Sequence, residues 1–161
     1  MKINVHKLTD GYLLKRACWF TSGKYITDFD KAMDEQCEAE HSPIRTQLYW
    51  VEMYSIPTFV SVHLVRHHVG VQHFVQTNRD DLGGVAADRN TPINHAMLIN
   101  AQGLIDMARK RLCGKAHEST RKVMREIRCA IECLEPTLAE HMVRNCVYRG
   151  KCPEKKPCGN F

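Results

Sequence analysis

The segment from Thr46 to Tyr54 constrains the fold more than any other part of the sequence. Its side chains fall into two alternating sets, as in a β-strand, where successive side chains point to opposite faces of the sheet. The first set is Leu48, Trp50, Glu52 and Tyr54, and the second is Gln47, Tyr49, Val51 and Met53. Because both sets contain large apolar residues, the segment predicts a strand with apolar character on both faces.

Patterns on either side of this strand predict one further strand and several helices. The alternation from Lys2 to Lys7 is typical of an edge strand, and Gly11 to Phe20 predicts a short helix. Asp28, with Thr27 before it, can cap a helix that runs through Ala39. The remaining predicted elements are a helix opened by Pro57, a loop from Gly70 to Asn94, helices at Ala96–Cys113, His117–Leu134 and Pro136–Arg144, and an irregular tail.

Composition is typical of one soluble globular domain spanning residues 1–161. The 161 residues are 43% hydrophobic and 25% charged, which is enough to bury a real core. The apolar runs are too short for a membrane span, and the segment after Met1 lacks the apolar region of a signal peptide, so we expect a cytoplasmic protein. The net charge of +5 favours anionic partners such as nucleotides, phosphorylated cofactors or nucleic acid.

An apolar helix that begins after Pro57 runs directly into Arg66, His67 and His68. An ordinary core does not need three basic groups at this point, and at the end of a helix they can converge on one anionic ligand. The alternative is a solvated helix end, since basic residues are favoured at the negative pole of a helix dipole.

The histidines allow a second interpretation, in which they bind a metal ion. His63 and His67 are four residues apart on one helical face, with His68 and His73 nearby, and imidazole is a common ligand of zinc. No carboxylate accompanies them in the manner of the His-Glu-x-x-His motif, and Arg66 between them repels a dication.

Eight cysteines without a secretion signal argue against a disulfide scaffold. Cys146, Cys152 and Cys158 are regularly spaced in the tail formed by residues 145–161, which is rich in Gly and Pro. These thiolates could hold a structural zinc ion, with a fourth ligand from Cys129, Cys133 or His141. Free thiols in a reducing compartment are the alternative. Because the tail is far in sequence from Arg66, we expect it to be independent of the basic cluster.

Several common enzyme motifs are missing from the sequence. No serine or cysteine lies in a recognisable nucleophile elbow, and neither a Gly-x-Gly-x-x-Gly motif nor a phosphate-binding loop occurs. A dinucleotide, if bound, would therefore not occupy a Rossmann site.

Four segments in the same order resemble the flavin-dependent thymidylate synthase family. Arg66-His67-His68, followed after seven residues by Gln76-Thr77, is similar to the family's Arg-His-Arg, seven residues, Ser motif. The other three segments are His41-Ser42-Pro43 with the strand and Ile56-Pro57 after it, the helical segment from Asn100 to His117, and the cysteine-bearing tail from Asn145 to Gly159.

The resemblance implies an α+β fold, in which a small antiparallel strand layer packs with helices, and a homotetramer with shared active sites. It implies reductive methylation of C5 of dUMP, with methylenetetrahydrofolate as the carbon donor and FAD, reduced by NADPH, as the source of hydride. In such an enzyme the cofactor carries out the difficult chemistry, while the protein positions the nucleotide and stabilises charge. The expected partners are pyrimidine nucleotides and folate rather than nucleic acid or membranes.

The resemblance also implies roles for individual residues. Arg111 would face the pyrimidine as the catalytic arginine. The residues implied to contact FAD are His41, Arg66, His67, His68, Asn100 and Asp106, and those implied to bind substrate, besides Arg111, are His63, Gln76, Arg79 and Arg89.

The sequence departs from the family pattern mainly on the nucleotide side. His68 replaces the second arginine of the motif, and Gln76 replaces its serine. Asn78 stands where an arginine is usual, with Arg79 one residue later, and His63 stands where glutamine is frequent. Three functions therefore stay open: a dUMP methylase, a flavoenzyme of the same build acting on another pyrimidine nucleotide, and a non-enzymatic zinc-tailed protein that binds nucleic acid.

Overall fold

The structure is a computed structural model that describes residues 1–84 and 88–159. The strands are β1 (Lys2–Lys7), β2 (Leu48–Pro57), β3 (Val71–Val75) and β4 (Pro92–Asn100), and the helices are α1 (Gly11–Ser22), α2 (Phe29–Ala39), α3 (Thr58–Val65), α4 (Ala101–Arg111), α5 (Glu118–Leu134), α6 (Pro136–His141) and α7 (Asn145–Arg149). Short 3-10 turns occur at Ser42–Thr46 and Asp80–Leu82. Residues 85–87 of the predicted loop and 160–161 of the tail lie outside the described part.

The four strands form one antiparallel sheet in the order β1-β2-β4-β3, which confirms the predicted α+β class. One face of the sheet carries Tyr49, Val51, Met97 and Ile99, all fully buried among the helices. The main helical contributors to the same core are α4 and α5, through residues such as Leu104, Ile105, Val123, Met124 and Ile127. The position of β4 in the sheet therefore fixes the start of α4, because α4 follows β4 directly with no loop between them.

The predicted loop from Gly70 to Asn94 is wrong over much of its length, because it contains β3 and the start of β4. The predicted start of the next helix at Ala96 is wrong for the same reason. Ile93, His95, Met97 and Ile99 point inward with a period of two, and this strand pattern runs directly into the helical pattern. The helix begins only after Asn100, whose side chain accepts a hydrogen bond from the Gly103 amide at 2.8 Å.

The other predicted elements differ from the structure mainly at their ends. Pro57 ends β2 and precedes α3, so it flanks the helix rather than forming its first residue. The helix predicted at Pro136–Arg144 ends at His141, and the tail that was expected to be irregular begins with α7. Asp28 caps α2 through a hydrogen bond from the Lys31 amide, as predicted. Within the described residues, the structure contains no helix that is both long enough and apolar enough to cross a bilayer.

Gly70 links the end of α3 to the beginning of α4. It has a φ of 71°, and its carbonyl accepts a hydrogen bond from the Asn100 amide at 2.9 Å. A Cβ at this position would lie 2.7 Å from the side-chain amide of Asn100, the residue that caps α4. A glycine is therefore needed here both for its backbone conformation and for its lack of a side chain.

We expect Gly70→Ala to destabilise the protein more than Gly23→Ala. Gly23 has nearly the same φ, 69°, but a Cβ there would meet no atom within 4 Å. Gly23→Ala should cost about 1 kcal/mol through backbone strain alone, whereas Gly70→Ala should cost about 2–3 kcal/mol because it also displaces the helix cap. Urea unfolding of both variants measures the difference. Equal losses would show that the Asn100 contact does not matter.

Candidate functional site

A cavity of about 410 Å³ lies between the end of α3, the end of α4 and the C-terminal tail. We call it the Arg111 cavity. Its lining includes Arg66 and His67 from the segment after α3, Arg111 at the end of α4, and Cys113 in the following turn. The structure thus brings together residues that the sequence separates by more than forty positions, because α3 and α4 both pack against β4 and α5.

Arg111 is held in place by two acceptors from the α3 segment. Its Nε donates to Nε2 of His67 at 2.9 Å, and one Nη donates to the carbonyl oxygen of His63 at 2.5 Å. Burial, and next the charge of Arg66, lower the pKa of the Arg111 guanidinium, which nevertheless stays protonated as arginines do in proteins. Both acceptors are uncharged, so they orient the guanidinium without neutralising it.

The bond from Arg111 fixes the protonation state of His67. Because arginine Nε is always a donor, Nε2 of His67 must carry a lone pair, and the proton of the neutral ring lies on Nδ1. Burial and then the charge of Arg111 lower the pKa of His67 to about 4. Burial also lowers the pKa of the neighbouring His63, followed by the charge of Arg111, while Nδ1 of His63 lies 2.8 Å from the Thr120 hydroxyl.

Two further histidines lie behind His67: His73, which the sequence indicates only as a possible metal ligand, and His95, which it does not indicate at all. Nε2 of His73 lies 2.6 Å from the His67 carbonyl oxygen, which can only accept, so this nitrogen carries the proton. Nδ1 of His73 lies 2.9 Å from Nε2 of His95, so the two rings are hydrogen-bonded to each other. His95 is only 2% exposed, and burial followed by the charge of His73 lowers its pKa to about 4. These rings position the backbone of His67. The alternation of buried and less buried residues along β4 is the sequence signal that could have placed His95 in the core.

The charged residues that line the Arg111 cavity are Arg66, Arg109, Lys110, Arg111, Lys115 and Glu154, and Arg66 and Arg111 differ from Arg109 in their partners. Neither guanidinium has a carboxylate partner among the described residues, whereas Arg109 on the same helix forms an ion pair with Glu40 at 2.7 Å and lies over the ring of Tyr148. The hydrogen bonds from Arg109 are the main reason that the pKa of Glu40 falls to about 2. Arg66 and Arg111 together therefore form the better anion site.

The C-terminal tail closes one side of the Arg111 cavity. Cys146 is buried at the start of α7, and Cys152 and Cys158 also line the cavity. The expectation that the tail is independent of the basic cluster is therefore wrong, because α7 packs against α4. Across residues 1–84 and 88–159, no three His, Cys, Asp or Glu side chains are arranged to hold a metal ion, so the structure offers no support for zinc at the three cysteines or at the histidines.

The other predicted site residues are distributed around the cavity or away from it. Asp106 lies one turn before Arg109, at 3.4 Å from its guanidinium, and lines a shallow cleft with His67. His68 is exposed beside the cavity, and Arg89 lies 5.0 Å from the centre of the Phe59 ring on the side of α3 that carries His63. Asn100 caps α4, as described above.

Three of the predicted residues are not brought to Arg111 within one chain. Gln76 is hydrogen-bonded through its side chain to the Asn94 amide at 3.0 Å, at the far end of β3. Arg79 forms an exposed ion pair with Asp81. His41 is exposed and lines a separate cavity beside α1.

We expect the free energy of unfolding to fall as the pH is lowered from about 6.5 to about 4. The unfolded chain protonates His67 and His95 near their ordinary pKa of 6.5, whereas the folded protein keeps both neutral until about pH 4. The contribution of these two histidines to the free energy of unfolding is therefore complete above pH 6.5. Below pH 4 the loss amounts to as much as about 3 kcal/mol for each histidine. Urea unfolding across this range, with NMR titration of the imidazole signals, measures the effect. Titration of both rings near pH 6.5 would contradict it.

Comparison with known proteins supports the fold but not a closer relationship. No protein-family model matches the sequence, and no curated protein matches it either. Thymidylate synthase X (ThyX) from Helicobacter pylori, solved with FAD and dUMP, is similar in structure, with a TM-score of 0.74 and 14% identity over 89% of this chain and 99% of that one. A second structure of that flavin-dependent enzyme with FAD and dUMP gives a TM-score of 0.72, 14% identity and coverage of 89% and 100%.

A UMP/dUMP methylase also has this fold. The UMP/dUMP methylase PolB from Streptomyces cacaoi, bound with 5-Br dUMP, has a TM-score of 0.66 and 14% identity over 87% of this chain and 94% of that one. The similarity to these three structures covers 87–89% of this chain. The chain therefore has the fold of the flavin-dependent thymidylate synthases.

Proposed function

We propose that the chain is a flavin-dependent nucleotide methylase that methylates C5 of dUMP. The observation that carries the proposal is the pair Arg66 and Arg111, which lie without carboxylate partners among the described residues at one cavity of this fold. Proteins of the same fold have been solved with FAD and dUMP, or with a brominated dUMP. A site for a nucleotide must supply charge to phosphate and directed donors to the base, and guanidinium groups provide both.

Arg111 is suited to hold a planar ligand in one orientation. A guanidinium has five N–H donors, of which two are engaged by His67 and His63, so three stay available to the cavity. The two engaged donors prevent the group from rotating, and this preorganisation favours stabilisation of negative charge that develops on a uracil ring. Neutral His67 accepts a hydrogen bond from Arg111 without adding positive charge of its own.

The side chains present fit an anionic dinucleotide such as FAD. Arg66 is exposed at the cavity and can pair with pyrophosphate, while Asp106 and His68 offer polar groups at its rim. A volume of about 410 Å³ is near the lower end of the range for ligand pockets, about 300–1,000 Å³. One chain therefore encloses a mononucleotide more readily than FAD and dUMP together, which supports a site completed by a second copy.

When bound and reduced by NADPH, the flavin supplies hydride, and methylenetetrahydrofolate supplies the carbon. The chain itself contributes binding, orientation and electrostatics. Arg66 and Arg111 hold the anionic groups, His67 fixes the direction of Arg111, and the tail with Cys146 and Cys152 restricts access of water from one side. No nucleophilic side chain is required of this site, in agreement with the missing nucleophile motifs.

A homotetramer with shared sites is part of this proposal. The second face of the sheet carries Trp50, Phe74 and Leu98, which stay partly exposed, and the rings of Trp50 and Phe74 lie 5.3 Å apart. Phe74 is 52% exposed, so an apolar surface is available for burial against another copy. Gln76, far from Arg111 within one chain, could reach a nucleotide only across such an interface.

A second candidate is a flavoenzyme of the same build that acts on another pyrimidine nucleotide. The PolB structure favours it, since that protein of the same fold is a methylase of UMP as well as dUMP. The amide of Gln76 has both a donor and an acceptor, and could read an exocyclic group that differs between pyrimidines. The zinc-tailed nucleic-acid binder gains no support, since the described cysteines form no metal site.

We expect the purified protein to be yellow from bound flavin and Arg66→Ala to release it. Loss of a charge-assisted bond to pyrophosphate removes roughly 1.5–3 kcal/mol of binding, or about 10- to 100-fold in affinity. The matched control is Arg45→Ala, which removes an exposed arginine outside the cavity and should keep the colour. Visible absorbance and FAD titration measure both. A colourless wild-type protein that takes up no added FAD would contradict the proposal.

We expect dUMP to bind the flavin-loaded protein more tightly than dCMP or dTMP does, and Arg111→Lys to weaken it about tenfold or more. The lysine ammonium group is a compact charge. It cannot donate to His67 and at the same time donate two parallel hydrogen bonds to the ligand, as a guanidinium can. Arg45→Lys is the control for the chemical change, and thermal unfolding checks that Arg111→Lys still folds. Calorimetric titration decides the nucleotide: tightest binding of dCMP would favour the second candidate, and equal or absent binding of all three would rule out both.

A further inference from the structure

A second cavity, of about 390 Å³, lies on the other side of the turn that follows α4. We call it the Arg125 cavity. Its lining includes four arginines, Arg121, Arg125 and Arg128 from α5 and Arg144 from the segment before α7. None of these side chains lines the Arg111 cavity, and Gly114 is the residue common to the two linings.

The arginines of α5 converge because of their spacing. Arg121, Arg125 and Arg128 follow one another at intervals of four and three residues, which places them along one stripe of a helix. Another stripe of α5 is apolar and buried, through Val123 and Ile127 among others. The helix is therefore fixed in the core by one side and presents guanidinium groups on another, so the cluster is rigidly supported.

The three arginines that α5 contributes to this cavity pair with two carboxylates among the described residues. None of the described residues that line it is a carboxylate. Arg121 and Arg125 share a single partner, Glu118, and the closest approach of Arg128 to Glu132 is 3.9 Å. In addition, Nε of Arg121 is buried and has no hydrogen-bond partner among the described residues, although another of its nitrogens donates to the Gly114 carbonyl at 3.0 Å.

The rest of the lining is apolar, through Leu112, Met142, Val143 and Val147. Arginines that are simply solvated on a helix surface do not need apolar residues around them. Guanidinium groups above apolar side chains match a ligand that combines several phosphate oxygens with a flat or apolar body. The volume is large enough for one small ligand of this kind.

We propose that the Arg125 cavity binds the polyphosphate group of a small phosphorylated ligand, and that it is a second anion site separate from the Arg111 cavity. Inorganic tripolyphosphate and a nucleoside triphosphate share this chemistry. Tripolyphosphate lacks the base and sugar that would contact the accessible apolar residues Leu112 and Val147. Comparison of the two ligands therefore separates the contribution of the phosphates from that of the apolar lining.

Calorimetric titration of the full chain with tripolyphosphate and with ATP, at about 0.15 M salt to suppress weak surface pairing, tests the proposal. We expect both to bind, ATP more tightly, and Arg125→Ala to weaken each by about tenfold or more. Lys122→Ala is the matched control, since it removes an exposed cation from the same helix outside the cavity. Glu118→Gln should tighten binding, because it frees Arg121 and Arg125 from their shared carboxylate.

The two cavities are distinguished by a second pair of measurements. The tripolyphosphate binding that Arg125→Ala weakens should persist in Arg111→Ala and in the presence of saturating dUMP. Loss of binding in Arg111→Ala with no effect of Arg125→Ala would place the anion in the Arg111 cavity and overturn the proposal. Equal weakening of tripolyphosphate binding by Lys122→Ala and Arg125→Ala would show that the anion is attracted only by the general positive charge of the surface. Binding of long RNA without binding of tripolyphosphate or ATP would show that the surface binds nucleic acid instead. Both outcomes also overturn it.

Discussion

The hydrogen bond from Arg111 to His67 joins the end of α4 to the end of α3, and the arrangement of the site depends on it. A partly buried guanidinium is usually balanced by a carboxylate, as Arg109 is by Glu40. Arg111 is instead held by an imidazole lone pair and a carbonyl oxygen, which leave its charge intact. The fold thus supplies a rigid cation without a carboxylate partner among the described residues, and the proposed nucleotide site rests on this feature.

Support for this bond extends well beyond the two residues that form it. His73 is hydrogen-bonded to the carbonyl of His67, and His95, which is buried in the sheet, is hydrogen-bonded to His73. Gly70 fits against Asn100, which caps α4 and sets where that helix begins. The same histidines that position Arg111 make the folded state sensitive to acid, because protonation of His67 removes the lone pair that Arg111 needs.

The turn after α4 divides two positively charged cavities with different surroundings. The cavity on one side is lined by Arg66, Arg111 and cysteines of the tail. The cavity on the other side is lined by the arginines of α5 and by apolar residues. Arg121 donates to the carbonyl of Gly114, the residue that borders both cavities. Basic side chains of the chain thus line two neighbouring cavities on either side of one turn.

The sequence by itself determined the strand from Thr46 to Tyr54, the cap at Asp28, and the proximity of Arg66 and His67, because these depend on periodicity and on neighbouring residues. The resemblance of four segments predicted the fold and the importance of Arg111. Only the tertiary structure decided that β4 runs directly into α4, since a strand pattern and a helical pattern joined without a turn residue cannot be divided by local signals. Only the tertiary structure placed His95 behind His67, separated Gln76 from Arg111, and brought the tail to the cavity, because these relations depend on the order of strands in the sheet and on helix packing between distant segments.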